Sequence, residues 1–192
     1  MVTTRNSRAD VVRAAGRLFA DRGYHGTSMR DLGKELGLLG SSLYSHVDSK
    51  QDLLVEVVEE GARLFESSAE AALAVGGSAP ERLRALIRGH VNVVVDNIEV
   101  ARTFLNEARM LDDEHRGRIL AARDHYEQAF RTVIREGAKE GSFRSDADPK
   151  TSSIFILSML NAVERWYDPD GPLDRNALVD RLNEFALTAL AG

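Results

Sequence analysis

Cysteine is absent from the 192 residues. Disulfides, thiolate catalysis, iron–sulfur clusters and cysteine-based zinc sites are excluded together. A reducing cytoplasm is the expected address. Proline is scarce at 4 residues, tryptophan occurs once, and aromatic residues make up 6% of the chain. No apolar run approaches the length of a bilayer span, so no membrane partner is expected. The opening MVTTRNSRAD has no apolar core, and secretion is not expected either. Catalytic signatures are missing as well: there is no HExxH, no GxSxG, no Walker loop and no dinucleotide fingerprint. None of the histidines at 25, 46, 90, 115 and 125 has glutamate three residues before it, which removes the carboxylate-bridged metal pair of helical enzymes. Asp112, Asp113, Glu114 and His115 read as a helix start rather than a metal site. No metal and no cofactor are expected.

What is present is helical. Hydrophobic residues at 43% and charged residues at 29% describe a globular chain. The net charge is −5, yet it is unevenly spread. Residues 1–54 carry 8 Lys/Arg against 6 Asp/Glu, whereas the rest carry 17 against 24. A slightly positive head on an acidic body can still meet phosphate. Apolar residues recur at helical spacing almost throughout. Ser7 caps a first helix that Gly23 ends, and Ser28 caps a second that Gly37 ends. A short third segment covers 40–46, and a long helix runs from 50 to 74. GGSAP at 76–80 breaks the chain. Further helices are predicted at 80–96, 98–110, 113–139, 149–166 and 174–190, with turns at 141–149 and 168–173.

Two short helices around a glycine turn, residues 27–46, carry the pattern of a helix-turn-helix. Gly33 allows the helices to cross, and Leu32, Leu36 and Leu43 close a small core. Gly40, Ser41, Ser42 and Ser45 keep one face low enough to approach base edges in a major groove. Tyr44, His46 and Lys50 can donate to phosphates. The alternative on spacing alone is an ordinary surface helix hairpin.

The run GYHGTSMRDLGKELGLLGSSLYSHVDSKQDLL resembles the DNA-binding domain of the tetracycline-repressor family of transcriptional regulators. The likeness extends from Arg8 to Leu54 and includes Gly26-Thr27-Ser28, Asp31, Gly37, Leu43-Tyr44, His46, Ser49-Lys50 and Leu53-Leu54. The resemblance implies that residues 40–46 form the recognition helix and that Thr27, Ser28, Ser41, Ser42, Tyr44, His46 and Lys50 face DNA. Leu39 and Val47 depart from the family pattern, which has a small hydroxyl residue and a phenylalanine there. It further implies an all-α chain: a three-helix head, residues 1–54, joined by a long helix to a ligand-binding and dimerisation domain, residues 55–192. ERWYDPDGPL, 164–173, resembles members that respond to acyl-CoA thioesters. Leu157 and Asn161 stand where the steroid-CoA members carry a basic and an aromatic residue.

Apolar faces with a few polar groups supply the pocket candidates Phe104, Ala108, Arg109, Tyr126, Phe130, Phe155, Met159, Asn161 and Trp166. Ordinary core packing is the alternative for the apolar ones. The last helix lines up Leu178, Leu182, Phe185, Ala186 and Ala189, a seam for a partner helix or for the chain's own core. The expected protein is a homodimeric regulator, a repressor of a pseudo-palindromic double-stranded DNA operator released by a small apolar or acyl-CoA-type effector. A helical ligand-binding protein without DNA binding and a helical enzyme are the rivals.

Overall fold

A computed structural model describes residues 7–37, 43 and 47–192. Its helices are α1 (Arg8–Arg22), α2 (Met29–Glu35), α3 (Lys50–Ala74), α4 (Ala79–Asp96), α5 (Ile98–Glu107), α6 (Asp113–Glu140), α7 (Pro149–Asn161), the one-turn α8 (Val163–Trp166) and α9 (Arg175–Leu190). A 3₁₀ turn, Ala108–Met110, follows α5. Among the described residues no strand occurs, and the fold is all-α. The predicted helix 98–110 tightens into the 3₁₀ turn, and the predicted helix 149–166 is interrupted at Ala162. The segment 40–46 lies outside the described residues apart from Leu43, which is buried.

The helix starts follow from local chemistry. The Asp10 amide donates to Ser7 Oγ at 3.2 Å and the Ser7 amide to Asp10 Oδ2 at 2.8 Å. Ser28 and Asp31 repeat the arrangement at 3.2 and 2.9 Å. Each pair satisfies two backbone donors that a helix start leaves free. Hydrogen bonds from Ser28 hold the Asp31 carboxyl below its ordinary range. Ser49 Oγ accepts from the Asp52 amide at 3.1 Å and opens α3.

The chain forms two compact units, one from Met1–Arg63 with Glu99–Leu120, the other from Leu64–Ile98 with Ala121–Gly192. This grouping differs from a cut at residue 54, because residues 99–120 join the N-terminal unit. That unit has a core of Val11, Leu18, Phe19, Leu32, Leu43, Leu53, Leu54, Val57 and Phe104. Gly61 is where α3 and α5 meet: a Cβ there would lie 2.5 Å from Phe104 Cβ. The other unit is built around α4, against which α7, α8 and α9 pack. Leu83, Leu86, Ile87, Val91 and Val94 form the buried stripe of α4. Phe143 folds back over Gly137, and the Arg144 amide donates to the Leu190 carbonyl at 2.9 Å, closing the end of α9.

Candidate functional site

The N-terminal unit holds the helix-turn-helix frame. Salt bridges Arg17–Glu35, 3.4 Å, and Arg22–Asp31, 3.9 Å, join α1 to α2. Both are largely exposed and contribute little individually. The turn between the helices is held from inside. Thr27 is 2% exposed, and its hydroxyl lies 3.1 Å from the Leu18 carbonyl and 3.0 Å from that of Gly23. Its side chain is therefore a structural peg within the turn. Lys50 is also held by the turn. Its ammonium donates to the carbonyls of Tyr24 at 2.9 Å and Thr27 at 2.8 Å, and sits 4.1 Å from the Tyr24 ring centroid. Two of its three donors thus fasten the start of α3 to the turn, and one is left among the described residues. Ser28 is exposed and caps α2. Gly40, Ser41, Ser42, Tyr44, Ser45 and His46 lie outside the described residues.

The same unit contains a polar chain that the sequence did not single out. The Tyr24 amide donates to Glu107 Oε2 at 3.2 Å, and the Tyr24 hydroxyl to Gln51 Oε1 at 2.8 Å. Gln51 Nε2 donates in turn to the Met110 carbonyl at 3.3 Å. Thr103 Oγ1 reaches the Gly16 carbonyl at 3.3 Å. The end of α5 and the 3₁₀ turn are thereby bonded to the helix-turn-helix.

In the C-terminal unit the pocket candidates separate. Tyr126 and Phe130 belong to an aromatic cluster with Phe65 and His90, at centroid distances of 4.8 Å (Phe65–His90), 5.5 Å (Phe65–Tyr126) and 5.6 Å (Tyr126–Phe130). His90 Nδ1 lies 3.1 Å from the Tyr126 hydroxyl. Burial lowers the His90 pKa to about 3, against a smaller pull from the Leu160 carbonyl, and burial raises the Tyr126 phenol. His90 had a signal in the sequence: it sits on the apolar stripe of α4. Phe155 and Trp166 are not enclosed, at 68% and 54% exposed. Asn161 is half-buried, and Trp166 stacks edge-on against Tyr167. Phe104 and Ala108 are buried in the N-terminal unit, where Arg109 is exposed.

The seam of α9 also separates. Leu178, Leu182 and Ala186 are buried against their own unit. Phe185, 69% exposed, and Ala189 face outward. They line a groove of about 480 Å³ together with Phe155, Met159 and Thr151 of α7 and with Arg144 and Asp146 ahead of it.

A helix-turn-helix head carried on a helical ligand-binding body is the plan of a ligand-responsive DNA-binding regulator. Residues 11–57 match the model of the bacterial regulatory proteins of the tetR family, and residues 76–190 match the tetracyclin repressor-like C-terminal domain. The transcriptional repressor KstR2 of Rhodococcus jostii (strain RHA1) is 26% identical over 185 residues, covering 96% of this chain and 91% of that protein. The crystal structure of PfmR, a TetR family regulator from Thermus thermophilus, superposes with a TM-score of 0.84 at 31% identity over 93% of this chain and 97% of that one. AibR, solved with isovaleryl coenzyme A and operator DNA, gives 0.83 at 26% identity over 95% and 97%. The chain belongs to the tetR family of transcriptional regulators. It is a ligand-responsive DNA-binding regulator.

Proposed function

We propose that this protein is a homodimeric repressor that binds a pseudo-palindromic operator in the cytoplasm and leaves it when an acyl-CoA-type effector enters the C-terminal unit. The observation that carries this reading is the likeness to AibR along nearly the whole of both chains, since that protein was solved with both an acyl-CoA and its operator. The geometry supports the DNA-binding head and a surface for a second copy. The pegged Thr27 and clamped Lys50 brace the turn ahead of residues 40–46, the segment that would enter the major groove. The third donor of Lys50 remains for a phosphate. Phe155, Met159, Phe185 and Ala189 offer an apolar groove that the same face of a second copy would cover. No helix among the described residues is long and apolar enough to cross a membrane.

Release requires the effector to bind the DNA-incompetent state more tightly than the DNA-bound one. The test is a duplex selected by the protein from random sequence, followed by fluorescence anisotropy. Isovaleryl-CoA and longer acyl-CoAs should release it at concentrations where free coenzyme A does not. Binding of the duplex that no acyl-CoA disturbs would overturn the effector class.

A further inference from the structure

In the C-terminal unit, α4 and α9 are tied by side chains that face one another. Arg175 Nη1 donates to Asp96 Oδ2 at 3.1 Å. The Arg88 guanidinium donates to Asn176 Oδ1 at 3.3 Å and lies 3.7 Å from Asp180 Oδ1. The order of these pairs makes the two helices antiparallel. One turn further along each helix stand Arg84 and Glu184, again opposite charges on facing helices. Among the described residues neither forms an ion pair. A cleft of about 370 Å³ opens there instead, lined by Arg84 and Arg88 of α4 and by Asp180, Asn183, Glu184 and Leu187 of α9. Asn183 is 6% exposed and interrupts the buried stripe of Val179, Leu182, Ala186 and Leu190. Its Oδ1 is buried and has no hydrogen-bond partner. A buried acceptor without a donor opposes folding, and leucine would continue the stripe without that cost. The amide therefore serves something other than the packing of α9.

We propose that this cleft is a second small-molecule site and takes the zwitterion of a free α-amino acid. The charges choose the class. Two guanidiniums and two carboxylates line the cleft, so a simple anion meets Glu184 and a simple cation meets Arg84. A molecule carrying both charges satisfies both walls. Its carboxylate pairs with the planar fork of Arg84. Its ammonium sits between Glu184 and Asn183, where it supplies the donor that the amide oxygen lacks. Leu187 is the apolar contact for its side chain. The site stands apart from the acyl-CoA reading, and none of its lining residues borders the groove that Phe185 lines.

The common α-amino acids, added singly at millimolar concentration to the full chain, test the site by thermal unfolding and calorimetry. At least one should bind and raise the unfolding temperature. If none does, the proposal is overturned, and the cleft holds only water or closes by direct pairing of Arg84 with Glu184. For the amino acid that binds, two analogues dissect the contact: its amide, which lacks the carboxylate, and its des-amino acid, which lacks the ammonium. Each should bind at least roughly tenfold more weakly, the worth of a hydrogen bond from a charged group. Arg84→Met should abolish the preference over the amide alone, and Glu184→Gln the preference over the des-amino acid alone. A merely structural role of either residue would weaken all three compounds together and would overturn the assignment. Asn183→Leu should raise the unfolding temperature of the free chain and lose the amino acid. Retained binding in that variant, or in Asn183→Ala should leucine not be accommodated, would refute the contact with the amide.

Discussion

The Lys50 ammonium donates to the Thr27 carbonyl at 2.8 Å, joining the first residue of α3 to the turn that precedes α2. A charge that the sequence offers to a phosphate is mostly spent on the protein's own backbone. Lys50→Met keeps the apolar stem and removes both carbonyl contacts. It should lower unfolding stability by about 2–3 kcal/mol, as hydrogen bonds from a charged group do. If the remaining donor meets a phosphate, the salt dependence of DNA binding should also flatten by about one unit of slope. Urea unfolding and anisotropy at several salt concentrations check the two effects separately. An unchanged midpoint would contradict the clamp.

Close contact between α3 and α5 depends on Gly61. Its missing side chain makes room for Phe104, and an added Cβ would lie 2.5 Å from Phe104 Cβ. Gly61→Ala should therefore cost about 1–3 kcal/mol through overpacking, despite the better helix propensity of alanine. Gly61→Ala with Phe104→Leu should recover part of it. Thermal unfolding of the two variants decides.

Dimerisation separates two neighbours on α9. Phe185 is exposed and Leu182 is 7% exposed. Phe185→Glu should yield folded monomers, with unchanged far-ultraviolet circular dichroism and half the mass in sedimentation velocity. Leu182→Glu places a charge in the core and should unfold the C-terminal unit instead. A folded Leu182→Glu monomer would show that the face has been drawn on the wrong side of the helix.

Acid should find His90. Its ordinary pKa of 6.5 falls to about 3 in the folded chain, chiefly through burial. Between these values the unfolded chain binds a proton that the folded chain refuses. Stability therefore falls as pH drops below 6.5, by about 1.4 kcal/mol per pH unit from this residue. His90→Asn removes the contribution. The difference in unfolding free energy between wild type and variant, followed from pH 7 to 5, should shift with that slope, and a flat difference would refute the buried neutral ring.

Helix positions were legible because capping chemistry is local. Ser7 with Asp10 and Ser28 with Asp31, each three residues apart, mark the starts that the hydrogen bonds then display. The break at Ala162 was not legible, since no glycine or proline stands there. The inward contacts of Thr27 and Lys50 were not legible for a different reason. A hydroxyl or an ammonium has the same spacing in the sequence whether it meets a phosphate or a carbonyl of its own turn, and only the backbone path decides. The split within the α9 seam was hidden in a similar way. An apolar stripe wide enough to cover a core can also cover a partner, so periodicity groups Leu182 with Phe185 although only one is buried. His90 was accessible to inspection, as a histidine in an apolar stripe, but the tyrosine that gives it meaning lies 36 residues away.

The most direct test of the central claim is the binding of this chain to a self-selected palindromic duplex, compared with a scrambled duplex of equal length, over a range of salt. A ligand-responsive DNA-binding regulator should bind the selected duplex at least a thousandfold (~10³) more tightly at physiological salt, with affinity falling steeply as salt rises. Equal, weak binding of both duplexes at low salt would contradict it.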